Sequence, residues 1–195
     1  PPPSYAEPLR ICVVVYLQKA PELLNDVLRA LVRHWPQCGS SKQSVMIETL
    51  EIMLVEMTAV GVLSLEPDVA ISVAAVVARM LAVEHEQVAL RALMVVDNQQ
   101  AIGLLLGSAD GGGGGATEAT ASAARCIGIA LVGMREHWSQ TARGECEEVV
   151  GRYCSDYMGS GVDAVQALYT AEKEEKAAAE QQRKDRWASL LGAAS

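Results

Sequence analysis

The feature that most constrains this fold is an abrupt break between two apolar helical patterns at Trp35-Pro36. Before the break, apolar residues recur at helical spacing; they are Leu23, Leu24, Val27, Leu28, Leu31 and Val32. Proline cannot continue a helix, and it disfavours the helical conformation in the residue that precedes it. The first helix is therefore predicted to end near His34, with a turn after it.

A second helical pattern begins after this turn. Ser40 precedes Gln43 by three residues, which predicts a capping box with Ser40 as the N-cap. The apolar residues that follow form one stripe, namely Met46, Leu50, Met53, Leu54 and Met57. Two amphipathic helices joined by about seven residues predict an αα-hairpin. One such unit buries little surface alone, so further units are expected on both sides of it.

The rest of the chain also reads as helices. Helix pairs are predicted at residues 5–34, 42–81, 85–106 and 117–158, a period of roughly 40 residues that is typical of HEAT or armadillo arrays. Residues 67–83 are rich in Val and Ile, so a buried strand pair competes with a helix there. Interspersed alanines without a turn signal favour the helix. We predict an all-α, HEAT/armadillo-like α-solenoid of stacked antiparallel helix pairs, one segment over 1–195 with about four repeats.

Composition and cysteine spacing agree with a helical, reduced protein. Half of the residues are apolar, yet only 4% are aromatic and none is Phe, so Leu, Val, Ile, Met and Ala must form the interior. Five widely spaced cysteines without a CxxC motif predict neither a disulfide framework nor a zinc site. We expect a cytoplasmic protein, with nuclear or cytoskeleton-associated pools as an alternative.

The charge balance and the lengths of the apolar runs argue against two classes of partner. The net charge is -8, from 24 acidic and 16 basic residues, and no basic block is present. Phosphate neutralisation dominates affinity for nucleic acids, so we expect no nucleic-acid partner. No apolar run approaches the ~20 residues of a membrane-spanning helix, so we also expect no membrane partner.

Two segments depart from the repeat pattern. Residues 108–116 include five consecutive glycines and are predicted to form a flexible loop. A phosphate-binding loop would need a preceding strand and a following Gly-Lys-Ser/Thr, and neither is present. Residues 163–191 are predicted to form one long helix, whose mixed charges over 170–187 sum to zero. Such a helix usually exposes a solvated face or caps an array.

No pattern in the sequence predicts catalysis, a metal site or a cofactor. A nucleophile needs a nearby base, and only His34, His85 and His137 are available for that role. His34 and Cys38 flank the first turn without forming a known catalytic signature, and no His or Cys pair has metal-ligand spacing. Trp35 and Trp138 are expected to fill the core more often than to contact partners.

Short blocks along the chain carry a resemblance to one family. Residues 31–36 read Leu-Val-Arg-His-Trp-Pro, and residues 48–54 read Glu-Thr-Leu-Glu-Ile-Met-Leu. Residues 87–93 read Gln-Val-Ala-Leu-Arg-Ala-Leu, 137–141 read His-Trp-Ser-Gln-Thr, and 183–187 read Arg-Lys-Asp-Arg-Trp. In this order the blocks resemble the C-terminal portion of the B-prime (B56-type) regulatory subunits of protein phosphatase 2A. The chain departs from that family in having no Phe and in its glycine run.

The resemblance implies a non-catalytic regulatory subunit. Proteins of this kind bind the phosphatase 2A catalytic and scaffold subunits and direct substrate selection or localisation. The resemblance also implies substrate proteins with short Leu-x-x-Ile-x-Glu motifs, bound in a groove mostly upstream of this chain, with only the region of Tyr5 and Arg10 near its rim. By this analogy the candidate partner contacts are Arg33, His34, Trp35, His137 and Trp138.

Two other function classes stay open. A diverged HEAT-repeat scaffold within a larger assembly, without phosphatase binding, is the alternative, and the missing aromatics and inserted glycines are compatible with it. A small enzyme is disfavoured because no catalytic arrangement is visible.

Overall fold

A computed structural model describes residues 6–107 and 118–192 of the chain. These residues form nine α-helices and one 3-10 turn, and they contain no strand. The predicted glycine-rich loop at 108–116 lies outside the described residues, as does Tyr5. The helices are α1 Ala6–Lys19, α2 Leu24–Arg33, α3 Ser40–Val60, α4 Pro67–Leu81, α5 Glu86–Asp97, α6 Gln99–Leu106, α7 Glu118–Met134, α8 Gln140–Met158 and α9 Val162–Gly192, with the 3-10 turn at Pro21–Leu23.

The helices form two rows, as the all-α solenoid prediction requires. In one row α1 packs on α3, α3 on α5, and α5 on α8, while α6 packs on α3 beside α5. In the other row α2 packs on α4, α4 on α7, and α7 on α9. The fold-class prediction is therefore confirmed, whereas the division into about four repeats of one segment stays a prediction.

The predicted hairpin of α2 and α3 is not the main packing contact of either helix. The two helices belong to different rows: α2 packs mainly on α4, and α3 packs on α1, α5 and α6. A hydrogen bond also joins α2 to the start of α4, because Asn25 Oδ1 accepts from the Glu66 amide at 3.1 Å. The turn after α2 thus carries the chain from one row to the other.

The predicted capping box at Ser40 is wrong. Gly39 is the N-cap of α3, with a φ of 90°, and no side chain caps the helix there. A glycine adopts positive φ without strain, so the chain turns at Gly39 and Ser40 already lies inside the helix. Gln43 instead donates a hydrogen bond from its side-chain amide to the Pro36 carbonyl at 3.2 Å and is buried.

Helix α4 is the most enclosed helix of its row, which explains its continuous apolar sequence. It packs against α2 and α7 within the row and against α5 of the other row. Three valines and three alanines on it are buried, among others: Val69, Val73, Val77, Ala70, Ala74 and Ala78. The alanines leave room for neighbouring helices at close range, so the helix prediction for this segment is confirmed.

Helix α1 leaves much of its apolar surface exposed. Ile11, Val15 and Leu9 are 53%, 45% and 58% exposed. In the described structure α1 is the first helix of its row and packs mainly on α3 and the 3-10 turn. Only Leu17 on this helix is fully buried.

The predicted long C-terminal helix is confirmed as α9. Its first half lies along α7, where Val165 is fully buried and Tyr169 packs against Gly133. Residues 173–187 are exposed on α9. Because Lys173 contacts Glu136, just after the end of α7, the second half of α9 extends beyond α7.

Candidate functional site: one edge of the solenoid

Three turns lie along the same edge of the solenoid, and together they hold all the predicted contact residues. They follow α2, α4 and α7, which are successive helices of one row. We call residues 33–42, 79–86 and 135–143 the turn edge. Adjacent turns touch directly: Trp35 contacts the end of α4, and His137 contacts the turn after α4. The structure therefore brings the predicted residues into one continuous strip.

Trp35 supports the turn edge from inside. Its side chain is 3% exposed, and its indole Nε1 donates to Met80 Sδ at 3.4 Å. The expectation that this tryptophan fills the core is confirmed. It was also predicted as a partner contact, but a buried indole has no surface left for a partner, so its part is to fix the turn.

Arg33 and His34, which precede Trp35, are exposed. Neither side chain has a hydrogen-bond or ion-pair partner among the described residues. His34 lines an apolar groove of about 440 Å³ between α1, α2 and α3, together with Arg10 and Lys42. Arg10 is neutralised by Glu7 and by Glu48, the latter at 2.9 Å.

His137 and Trp138 are held by hydrogen bonds to the turn after α4. The Ser139 amide donates to His137 Nδ1 at 3.1 Å, so the ring proton belongs on Nε2, which donates to the Val83 carbonyl at 3.3 Å. The Trp138 indole donates to the Glu84 carbonyl at 2.6 Å. Trp138 nevertheless remains 67% exposed, so the expectation that it fills the core is wrong, and its ring presents a rigid apolar surface to solvent.

Two residues that the sequence analysis missed complete this arrangement. Ser139 is the N-cap of α8: its Oγ accepts from the Ala142 amide at 3.3 Å and donates to Glu86 Oε1 at 2.8 Å. Arg143 donates to the carbonyls of His137 and Trp138, at 2.6 and 3.1 Å. The sequence around Ser139 indicates a helix cap only weakly. The hydrogen bond from Ser139 to Glu86 joins residues 53 apart in the chain, so no local sequence pattern predicts it.

A groove of about 720 Å³ lies between α4, α7 and α9 and reaches the turn edge at Trp138. On its rim Glu136 accepts hydrogen bonds from Lys173 at 2.7 Å and from Tyr169 at 3.0 Å. These two bonds lower the pKa of Glu136. The two hydrogen bonds of the Glu136 carboxylate therefore hold α9 against the end of α7.

Three of the five thiols, those of Cys126, Cys146 and Cys154, lie on α7 and α8 in unreactive surroundings, whereas Cys12 and Cys38 are exposed. Burial raises the pKa of Cys146 to about 12, and it also raises the pKa values of Cys126 and Cys154. A thiol is a nucleophile only as the thiolate, so these groups stay in their inert form near neutral pH. Among the described residues, no three His, Cys, Asp or Glu side chains are grouped to hold a metal ion. None of the described helices has the length and apolarity needed to cross a membrane.

Fold and edge together define the class of the protein. It is an α-solenoid with an edge of rigid turns that carries an exposed tryptophan and exposed cations. Trp and Arg side chains on a pre-ordered surface are the groups that dominate protein–protein interfaces.

Comparison with known proteins gives the family. The family described as protein phosphatase 2A regulatory B subunit (B56 family) matches residues 3–194, and the chain belongs to this family. Two similar relatives are B' regulatory subunits of serine/threonine protein phosphatase 2A from Arabidopsis thaliana. The chain is 28% identical over 103 residues to the 55 kDa delta isoform and 29% identical over 101 residues to the 57 kDa beta isoform. These matches cover 53% and 52% of this chain but only 21% and 19% of the relatives.

Proposed function

We propose that the chain is a non-catalytic regulatory subunit of protein phosphatase 2A. It binds the scaffold and catalytic subunits through the turn edge and directs substrate selection or localisation from the cytoplasm. Substrate proteins with short motifs are the further partners in this proposal. Family membership supports the regulatory role, and the two similar relatives carry that role in their names.

The observation that carries the choice of surface is Trp138. This exposed side chain is fixed by the hydrogen bond from its indole to the Glu84 carbonyl, and its backbone carbonyl accepts a hydrogen bond from Arg143. A rigid aromatic loses little conformational entropy on binding, which makes it a good anchor. Arg33, His34 and His137 extend the same surface, and Trp35 supports it.

The experiment is a binding titration of the 195-residue chain against an immobilised scaffold–catalytic dimer of phosphatase 2A. Trp138→Ala should weaken binding about thirtyfold, as loss of an interface anchor does. Leu63→Ala is the matched control, because Leu63 is 84% exposed on the opposite edge, in the turn between α3 and α4. It should bind like the unchanged chain.

Two outcomes would contradict the proposal. If the folded chain binds neither the scaffold nor the catalytic subunit, a diverged HEAT-repeat scaffold without phosphatase binding is the better description. If Leu63→Ala weakens binding as much as Trp138→Ala does, the chain binds through a different surface.

A further inference from the structure

The turn edge carries three cations that the fold leaves without partners. Arg33, Lys42 and Arg79 are exposed, and none of them has an ion pair or a side-chain hydrogen bond among the described residues. Several arginines elsewhere are neutralised: Arg29 binds Asp68 at 3.1 Å, and Arg152 binds Asp97. The turn edge also carries three carboxylates, Glu84, Glu86 and Glu136, but its five cations, which include Arg135 and Arg143, outnumber them in a chain of net charge -8.

These three residues lie near one another in the fold. Arg33 and Arg79 occupy the last turns of α2 and α4, two helices packed side by side. Trp35 joins the two helix ends through Met80. Lys42 lies in the first turn of α3, directly after the same turn as Trp35, and its side chain is near Gly39.

Helix stability accounts for only part of this arrangement. A cation in the last turn of a helix is favoured by the helix dipole, which suits Arg33 and Arg79. The first turn of a helix favours an anion, yet Lys42 lies there and α3 has no acidic residue in that turn. The positive charge of Lys42 is therefore unfavourable at this end of its helix, and no described acidic side chain pairs with it.

The opposite edge carries more carboxylates than cations. The first turns of the 3-10 turn, α2, α4 and α9 hold Glu22, Asp26, Asp68 and Asp163, whereas Lys19 ends α1 there and Arg29 pairs with Asp26 and Asp68. A negatively charged partner is repelled there and attracted to the turn edge, so the charge distribution orients it.

We propose that the turn edge binds an acidic polypeptide segment of a partner protein, whose carboxylates pair with Arg33, Lys42 and Arg79. The proposal concerns the surface assigned above, but it rests on the charges of this chain and not on the phosphatase assignment. Exposed ion pairs are weak singly and screened by salt, so the contact adds orientation and association rate to an interface.

The test uses the 195-residue chain alone with a fluorescein-labelled octaglutamate peptide, followed by fluorescence anisotropy at low salt. The variant Arg33→Gln/Lys42→Gln/Arg79→Gln should bind about tenfold more weakly, the combined effect of three exposed ion pairs. The matched control Lys19→Gln/Arg125→Gln/Arg183→Gln removes the same charge from exposed, unpaired cations elsewhere and should stay within about twofold. Single substitutions extend the series if a triple variant does not fold.

Absence of octaglutamate binding by the unchanged chain at low salt would overturn the inference. So would equal weakening in both triple variants, since that would show attraction to overall charge only. Because no phosphatase subunit is present in this assay, its failure leaves the proposed function standing, and failure of phosphatase binding leaves this result standing.

Discussion

At the scale of single residues, the two turn tryptophans have opposite surroundings. Trp35 is enclosed by the end of α4 and donates to a methionine sulfur, whereas Trp138 donates to a backbone carbonyl and exposes its ring. Their sequence contexts are similar, since each follows a histidine at the end of a helix. The difference arises because a neighbouring helix end covers Trp35 and no described element covers Trp138.

Replacing the buried tryptophan should be the costlier change. Trp35→Ala is expected to lower the free energy of unfolding by about 3–5 kcal/mol, since it removes a large buried side chain and leaves a cavity. Trp138→Ala loses one hydrogen bond and should cost about 1 kcal/mol. Urea denaturation followed by circular dichroism measures both values. Equal costs would show that Trp35 is not buried in solution.

Thiol accessibility gives a second test at this scale. Cys12 and Cys38 are exposed, Cys126 is half-buried, and Cys146 and Cys154 are buried. In the native chain a thiol reagent such as Ellman's should label Cys12 and Cys38 rapidly and Cys126 slowly. Cys146 and Cys154 should react only after denaturation, because burial raises their pKa values and blocks access. Rapid labelling of all five would contradict the packing of α7 and α8.

At the scale of helices, α7 accepts α9 at close range because of its glycines. A Cβ atom added to Gly133 would lie 2.9 Å from Cε2 of Tyr169, closer than such contacts allow. The tyrosine ring is fixed in turn by its hydrogen bond to Glu136. The position of α9 therefore depends on the absence of a side chain at Gly133 and on the carboxylate of Glu136.

Adding that methyl group should loosen the contact between α7 and α9. Gly133→Ala is expected to destabilise the chain by about 1–3 kcal/mol through overpacking. Gly151→Ala is the matched control on α8, where an added Cβ meets nothing within 4 Å. That change should stabilise the helix by about 0.5–1 kcal/mol, the propensity difference between the two residues. Stabilisation by both changes would show that Tyr169 does not pack on Gly133.

The Glu136 carboxylate makes the contact between α7 and α9 sensitive to pH. Hydrogen bonds from Lys173 and Tyr169 lower the pKa of Glu136 in the folded state below the ordinary value of 4.5. Its contribution to stability is therefore present above pH 4.5 and is lost as the pH falls through the lowered pKa. We expect the stability difference between the unchanged chain and Glu136→Gln to shrink between about pH 6 and pH 3. A difference that is constant over this range would argue against the bond.

At the scale of the whole molecule, the sequence predicted the helices and their fold class better than their surroundings. The periodic stripe from Leu50 to Met57 is set by residues a few positions apart, so it could be recognised locally. The exposure of Ile11 and Trp138 depends on which elements lie beside them, and that information is non-local. The cap at Gly39 was missed because Ser40 and Gln43 carry a valid capping pattern one residue too late.

The site could be predicted only in part for the same reason. Arg33, His34, His137 and Trp138 were predicted as contacts through the resemblance to family residues. Ser139 and Arg143, which hold the turn, act through contacts with Glu86 and with backbone carbonyls. Arg79 reaches the turn edge only because α4 ends beside α2.

Hydrogen–deuterium exchange of the chain, with and without the scaffold–catalytic dimer of phosphatase 2A, tests directly whether the turn edge is the binding surface. We expect slower exchange in the complex at residues 33–42 and 135–143, on the turn edge. We expect no change at residues 61–66 and 159–161, on the opposite edge. Protection confined to the opposite edge, or none anywhere at saturating dimer, would contradict this assignment.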